Sequence, residues 1–230
     1  SEILPPNTSL TSILSKNPKA IILSGGPASV FSDNAPNFDK EILNINIPIL
    51  GICYGLQLIV HHSGGTVAST GEGEYGFATI KIETKNGITK NMSSSSEVWM
   101  SHMDQVTKVP HDWKVVAYSS NNIVAAIASN DQMRVATQFH PEVSHTEEGN
   151  ILINNFLFHI SGCKRNWTPG NFVNDEITSL KNKIGNNRIL VGVSGGVDST
   201  VVASLINKAV GNKCFAVLID HGLLRKNEAR

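Results

Sequence analysis

The sequence predicts an α/β fold, with a mixed, mostly parallel sheet flanked by helices, followed by the beginning of a second α/β domain. Two observations support this prediction. Short apolar runs that end at glycines alternate with amphipathic stretches from residue 20 to about residue 160, which is the pattern of strands and helices in an α/β sheet. The order strand, glycine loop, helix then begins again at residue 189.

The apolar runs at residues 20–23 and 47–51 stop at glycines, as buried parallel strands do. Five later runs are spaced like strands joined by short turns, which predicts an antiparallel part of the sheet: 79–83, 98–100, 115–119, 124–128 and 134–139. Helical spacing of apolar residues predicts a helix over 150–161, with Gly162 as its stop signal. The four serines at 93–96 are interpreted as a solvated loop.

These boundaries divide the chain into two domains. We predict a first domain at residues 1–165, a linker at 166–172 and a second domain at 173–230. The linker is marked by Trp167-Thr168-Pro169-Gly170, and an amphipathic helix over 172–184 follows it.

Composition excludes several classes of function. The 230 residues include 19 basic and 19 acidic side chains, and this balance argues against a broad surface for nucleic acid or anionic lipid. No run approaches the roughly 20 apolar residues of a membrane span. The three cysteines, Cys53, Cys163 and Cys214, are too few and too scattered for a disulfide scaffold, which predicts a cytoplasmic protein. No group of residues has the spacing of zinc ligands.

The segment Gly51-Ile52-Cys53-Tyr54-Gly55 places a cysteine where an apolar strand ends and a helical pattern begins. A sharp strand-to-helix turn needs small neighbours, and it exposes a nucleophile beside a free backbone N–H. The start of a helix also favours the reactive thiolate. The alternative interpretation, a cysteine buried at a strand end, becomes less attractive because glycines flank the turn.

A cysteine nucleophile needs a base that a third group orients, and Gln138-Phe139-His140-Pro141-Glu142 supplies both. In an extended segment, side chains two residues apart leave on the same face, so Glu142 can orient one ring nitrogen of His140 while the other faces Cys53. A capped turn after a strand is the structural alternative. The loop Ser24-Gly25-Gly26-Pro27 adds a candidate backbone donor, although such a string by itself indicates only a tight turn.

Together, and in this order, these three motifs resemble the class I glutamine amidotransferase domain, which has a flavodoxin-like fold. The resemblance implies that Cys53 is the nucleophile, His140 the base and Glu142 its orienting group, and that the N–H groups of Gly26 and Tyr54 form the oxyanion hole. It also implies that the substrate glutamine is bound by Gln57, Ser101 and His102, with Asp104 nearby. Two departures stand out: Met103 occupies a position where the family has glycine, and the family's first strand and helix are absent.

A second glycine loop, Ser194-Gly195-Gly196-Val197-Asp198-Ser199, lies between an apolar strand at 189–193 and a helical pattern at 200–210. Consecutive glycines let backbone N–H groups converge on a phosphate, the helix start adds positive potential, and the serines can donate hydroxyls. Asp198 is placed to meet a metal or to cap the helix. The Walker A pattern is absent because no lysine follows the glycines.

This loop resembles the pyrophosphate loop of the N-type ATP pyrophosphatases, and Asp220-His221-Gly222 after the next strand, 214–219, adds to the resemblance. The order of an amidotransferase followed by such a loop resembles the glutamine-hydrolysing GMP synthases. That likeness implies glutamine, xanthosine monophosphate and ATP with Mg²⁺ as reactants, no organic prosthetic group, and a homodimer formed through a C-terminal region absent here. We therefore expect no synthetase turnover from this chain alone. Two alternatives stay open: a non-catalytic binding or regulatory module, and a synthetase that uses another acceptor.

Overall fold

The computed structural model describes residues 1–33, 35–36, 38–85 and 87–219. Within it the chain forms two compact units, Ser1–Lys164 and Arg165–Arg230. The motif at residues 220–222 lies outside the described residues.

The first unit is built on a seven-stranded sheet. The strands are β1 Ile21–Leu23, β2 Ile49–Ile52, β3 Thr66–Ile82, β4 Ser95–Lys108, β5 Trp113–Ser119, β6 Val124–Ser129 and β7 Arg134–Thr137. Their order in the sheet is β1-β2-β7-β6-β5-β3-β4. The pairs β1–β2 and β2–β7 are parallel, and the other described pairs of this seven-stranded sheet are antiparallel. The mixed α/β class is therefore confirmed, while the parallel share of the sheet is smaller than the sequence predicts.

The helices of this unit are α1 Leu10–Leu14, α2 Tyr54–His62 and α3 Gly149–Asn154, which continues as a π-helical segment over Asn155–Ile160. Short 3₁₀ turns occur at Lys40–Asn44 and Gly87–Thr89. The predicted helix over 150–161 is thus present, with a change of winding halfway. Asn155 stands at that change, and its buried side-chain amide donates to the carbonyls of Ile88 and Lys90 at 2.9 and 2.6 Å.

The sheet core lies on both faces of β2, as expected for a parallel strand covered on both sides. Leu50 and Ile52 enter one apolar cluster with Phe139 and Phe156. Ile49 enters the other, whose members include Leu56 and Ile59 of α2. All four residues of β2 are buried, which fixes the point where the strand stops and α2 begins.

The second unit contains α4 Pro169–Ile184, β8 Ile189–Val193, α5 Val197–Val210, a 3₁₀ turn at Gly211–Lys213 and β9 Cys214–Leu218. The strands β8 and β9 are parallel neighbours. Ile184, Val191 and Ile206 form the centre of its apolar cluster. The predicted order of strand, loop, helix and strand is therefore observed.

Two predictions about local structure are wrong. The linker ends earlier than expected, because the Thr168 hydroxyl accepts the Asn171 N–H at 3.1 Å and Pro169 occupies the first turn, so α4 begins at residue 169 and not at 172. The serine run is not wholly a loop, since Ser95 and Ser96 open β4. Pairing with Lys81 and Ile80 of β3 overrides the low strand preference of serine.

The glycine at position 55 tests how closely α2 approaches β1. A Cβ atom there would overlap the carbonyl oxygen of Leu23, which is backbone and cannot move aside as a flexible side chain would. We expect Gly55→Ala to lower the free energy of unfolding by about 1–3 kcal/mol, the usual cost of overpacking. Denaturant unfolding measures this.

Gly170→Ala in α4 is the matched control, since a Cβ there would lie 3.9 Å from Oγ1 of Thr168, which is an ordinary van der Waals distance. Alanine favours helix over glycine, so this variant should be neutral or slightly stabilised. Equal stability of Gly55→Ala and wild type would contradict the close approach.

Candidate active site

Cys53 lies in the sharp turn between β2 and α2. Its backbone adopts φ 51° and ψ −104°, a left-handed conformation that is strained for a residue with a side chain. Its N–H donates to the carbonyl of Thr137 at 2.7 Å, which ties the turn to the end of β7. Gly51 is required beside it, because a Cβ there would lie 2.7 Å from the carbonyl carbon of Gly55.

The end of β7 brings His140 to this turn. The His140 ring interacts with the Cys53 side chain, and its other partner is Glu142, whose Oε1 lies 2.7 Å from Nδ1. A Cβ added to Gly25 would lie 2.9 Å from Cε1 of His140 and 3.5 Å from Cβ of Cys53, so the ring and the cysteine share one small space. The three residues singled out by the sequence therefore converge.

Hydrogen bonding stabilises the protonated form of the His140 ring. The bond with Cys53 and then the bond with Glu142 raise the pKa of His140 from 6.5 to about 10, and partial burial opposes them only in part. Burial alone would raise the pKa of Glu142, but the hydrogen bond and charge of His140 hold it below its ordinary value. An imidazolium between a sulfur and a carboxylate is the arrangement that activates a cysteine nucleophile.

Gly26 and Tyr54, the two residues expected to supply the oxyanion hole, lie close together. Tyr54 is the first residue of α2, so its N–H has no acceptor within the helix. The loop after β1 packs against it, because a Cβ on Gly26 would lie 3.7 Å from Cδ1 of Tyr54. Backbone N–H groups beside a nucleophile can hold the negative oxygen of a tetrahedral intermediate when they point toward it.

The residues expected to bind glutamine lie on β4 and α2. The carbonyl oxygen of Ser101 lies 3.6 Å from Sγ of Cys53, so this strand borders the nucleophile. Gln57 is buried, and its side-chain amide donates to the carbonyl of Asp104 at 2.9 Å. Met103, which stands where the family has glycine, is 47% exposed.

The His102 side chain points away from solvent into a polar network that the sequence did not indicate. Nδ1 lies 3.1 Å from the carbonyl of Asp104 and Nε2 lies 3.4 Å from Oε2 of Glu74. The other oxygen of Glu74 accepts from Ser119 and Asn121 at 2.7 and 2.8 Å. Burial lowers the pKa of His102, although Glu74 acts in the opposite direction. The part of His102 that remains for a ligand is its backbone.

No sequence signal would have identified Glu74. It follows a register shift between β3 and β4, where the residue facing a given partner cannot be deduced from alternation. The carboxylate of Asp104 accepts the hydroxyl of Ser29 at 2.5 Å, which fastens the same strand to the loop after β1.

In the second unit the loop after β8 has the shape of an anion cradle. Gly195 has φ 76°, a conformation suited to glycine, and Gly196 caps α5. Oγ of Ser199 accepts the N–H of Ser194 at 3.2 Å and donates to the carbonyl of Gly196 at 3.1 Å. Val197 and Asp198 are in the first turn of the helix, and Val197 is exposed. A cavity of about 400 Å³ borders this loop, with Val193, Gly195 and Thr200 in its wall.

The described residues contain no cluster of three or more histidine, cysteine, aspartate or glutamate side chains that could hold a metal ion by themselves. Among these residues, no helix combines the length and the apolar character needed to cross a membrane. All three cysteines are free thiols.

Two different family models match the two parts of the chain. Residues 1–160 match the family model described as glutamine amidotransferase class-I, and residues 170–230 match the model of the PP-loop domain.

The curated relatives include the glutamine-hydrolyzing GMP synthases of Fusobacterium nucleatum and Caldicellulosiruptor saccharolyticus. They are 44% and 46% identical over 100% and 99% of this chain, which covers 45% of each relative. The chain therefore spans less than half the length of these proteins. A solved structure from Thermoplasma acidophilum, described as that of a GMP synthase subunit, is 31% identical with a TM-score of 0.56 over 66% of this chain and 77% of that one.

The raised pKa of His140 gives a prediction about pH. Glu142→Gln removes the negative charge at one of the two partners that raise it and leaves a weaker acceptor there, so the pKa should fall from about 10 toward the ordinary 6.5. Histidine-selective NMR titration measures the shift, and Glu147→Gln, at an exposed carboxylate that is not among the groups shifting the pKa of His140, is the control.

The same shift predicts a change in stability. A folded-state pKa above the unfolded value stabilises the fold fully below about pH 6.5, and this contribution is lost as the pH rises toward 10. The difference in unfolding free energy between wild type and Glu142→Gln should therefore shrink over that interval. Identical titration of His140 in both proteins would contradict the arrangement.

Proposed function

The chain belongs to the glutamine amidotransferase class-I family, and from this premise we propose that its first unit hydrolyses glutamine to glutamate and ammonia. The observation that carries the proposal is the convergence of Cys53, His140 and Glu142 at the end of the parallel strands. A structural cysteine would need neither a strained backbone nor an imidazolium held against it.

In the proposed reaction the Cys53 thiolate attacks the side-chain amide carbon of glutamine. The negative oxygen is held by the N–H groups of Gly26 and Tyr54, each such donor being worth about 3–4 kcal/mol. His140 gives its proton to the departing ammonia, and the C–N bond breaks to leave a γ-glutamyl thioester. His140 then takes a proton from water, which attacks the thioester and releases glutamate and the thiolate.

Substrate glutamine is proposed to bind along β4. Two contacts support this assignment: the Ser101 carbonyl lies beside Sγ of Cys53, and the Gln57 amide donates to the carbonyl of Asp104. Since the His102 ring is occupied by Glu74, we assign its contribution to backbone atoms.

We propose that the second unit binds ATP through residues 194–199. The N–H groups of the loop, the hydroxyls of Ser194 and Ser199, and the start of the 14-residue helix α5 suit the phosphates. Asp198 offers one carboxylate in the first turn of that helix, which fits Mg²⁺ because this ion is usually held by one or two carboxylates together with the phosphates of the nucleotide. When bound, the ion would offset phosphate charge.

The intact protein is proposed to be a GMP synthase. ATP would adenylate the 2-oxygen of xanthosine monophosphate, ammonia would displace AMP, and the products would be GMP, AMP, pyrophosphate and glutamate. The PP-loop match and the curated relatives support this proposal. We extend it to a cytoplasmic homodimer by likeness to that family.

The substitution Cys53→Ala separates the two activities. In the intact gene product it should abolish GMP formation from glutamine and leave GMP formation from ammonium unchanged. The reason is that only the hydrolysis of glutamine uses the Cys53 thiolate. Assays with xanthosine monophosphate, MgATP and either nitrogen donor measure this. If the wild type uses neither donor, the synthase assignment fails; if it aminates a different acceptor, another synthetase is indicated.

Labelling distinguishes an enzyme from a binding module. A diazo-ketone analogue of glutamine should alkylate Cys53 in this chain and spare Cys163 and Cys214, which lie outside the site. Peptide mass spectrometry reads all three cysteines in one digest. An unlabelled Cys53 would favour a non-catalytic regulatory role.

The ATP loop has its own test. Ser199→Ala removes a hydroxyl that bonds within the loop and that we propose to donate to phosphate, so affinity for MgATP should fall about tenfold, the typical effect of one hydrogen bond to a charged group. Calorimetric titration measures it. Thr178→Ala on α4, which removes a hydroxyl bonded only to its own helix, is the control, and equal losses in both variants would contradict the assignment.

A further inference from the structure

Gln138 contacts the nucleophile from the interior of the domain. Its side chain is fully buried, with 0% exposure, and Nε2 lies 3.8 Å from Sγ of Cys53. Its backbone N–H donates to the carbonyl of Ala125 at 2.8 Å, which fixes the residue just beyond the end of β7. The residue is therefore held against the sulfur by the sheet itself.

The hydrogen-bonding groups around the sulfur indicate whether the nitrogen or the oxygen of the Gln138 amide faces it. The carbonyl of Ser101 at 3.6 Å is already an acceptor for the thiol proton, so a second acceptor oxygen at the sulfur would be redundant. The amide nitrogen instead supplies a donor. Among the described residues Oε1 of Gln138 has no hydrogen-bond partner although it is buried, so the fold leaves one polar atom unpaired while the amide nitrogen faces the sulfur.

A donor at this position favours one protonation state. Thiolate sulfur accepts hydrogen bonds more strongly than the thiol does, because bonds to a charged group are the stronger class. His140 supplies one positive partner from the solvent side, and Gln138 supplies a neutral donor from the buried side. Glu142 is the titratable group that bonds to His140. His102 bonds to Glu74, and a charge on its ring would repel the charge of His140.

We propose that Gln138 is a further catalytic residue, which donates a hydrogen bond to the Cys53 thiolate and increases the fraction of thiolate near neutral pH. This inference rests on the proposed role of Cys53 as the nucleophile. It adds no step to the reaction, because no bond forms or breaks at the amide. The Gln138 hydrogen bond stabilises the sulfur when it is charged. That is the case before the thiolate attacks glutamine and again when the thiolate leaves the thioester.

The test is Gln138→Met, which keeps the length and burial of the side chain and removes the donor. The rate of Cys53 alkylation by iodoacetamide is measured against pH in the 230-residue chain, with Cys163 and Cys214 as internal references. We expect about a tenfold slower reaction at pH 6.5, recovery to the wild-type rate near pH 9.5, and no change at the two reference cysteines.

Gln132→Met is the matched control. Gln132 also has a buried Oε1 without a hydrogen-bond partner among the described residues, and its Nε2 donates to the carbonyl of Ser129, away from the nucleophile. A merely structural role of Gln138 would slow the reaction equally at every pH or not at all. A folded Gln138→Met protein whose pH profile coincides with that of wild type would overturn the proposal.

A second measurement leaves Gln138 itself unchanged. The chain has few glutamines, so selective ¹⁵N labelling gives few side-chain amide signals. The Gln138 signal should move with the ionisation of Cys53 and stay constant in Cys53→Ala; a signal that ignores the ionisation would refute the hydrogen bond. If wild-type Cys53 reacts no faster than the reference cysteines, the proposed function itself fails, which is a distinct result.

Discussion

The strained backbone at Cys53 is the constraint on which the site depends. A non-glycine residue at positive φ costs on the order of 1–3 kcal/mol, and the surrounding structure must hold it there. Two features do so: the hydrogen bond from the Cys53 N–H to Thr137, and the close packing of Gly55 against Leu23. The ends of β1, β2 and β7 thus meet at one turn, and this meeting brings Gly26, Tyr54 and His140 to Cys53.

Charge at the site is arranged in a line that runs from solvent to core. Glu142 is half exposed, His140 lies between it and the sulfur, and Gln138 lies fully buried behind the sulfur. Each neighbour favours the charged form of the next, since a carboxylate stabilises imidazolium and imidazolium stabilises thiolate. The buried end carries a neutral amide, which can donate without the desolvation cost of a second buried charge.

Strand β4, which borders Cys53, is supported by a buried network of polar side chains. Glu74 holds His102, and His102 together with Gln57 converges on the carbonyl of Asp104. These contacts fix β4 at the position where it borders Cys53 through Ser101. The network is buried, so its members bond to one another and the strand backbone is left to face the substrate.

Residue order by itself predicted the meeting of Cys53, His140 and Glu142, both glycine loops and most elements, because each depends on chemistry that is local in sequence. A glycine-flanked cysteine after an apolar strand, or a histidine two residues before a carboxylate, leaves little choice of conformation. The strand pairing was decided only by the tertiary structure, which made most of the sheet antiparallel, drew Ser95 and Ser96 into β4 and placed Glu74 beneath His102. The position of Gln138 was predictable only in part. Alternation along an extended segment puts it on the same face as His140, but only the packing of β7 against the turn shows that its amide reaches the sulfur. Contacts across a sheet depend on register, and register is set by the whole core rather than by any one segment.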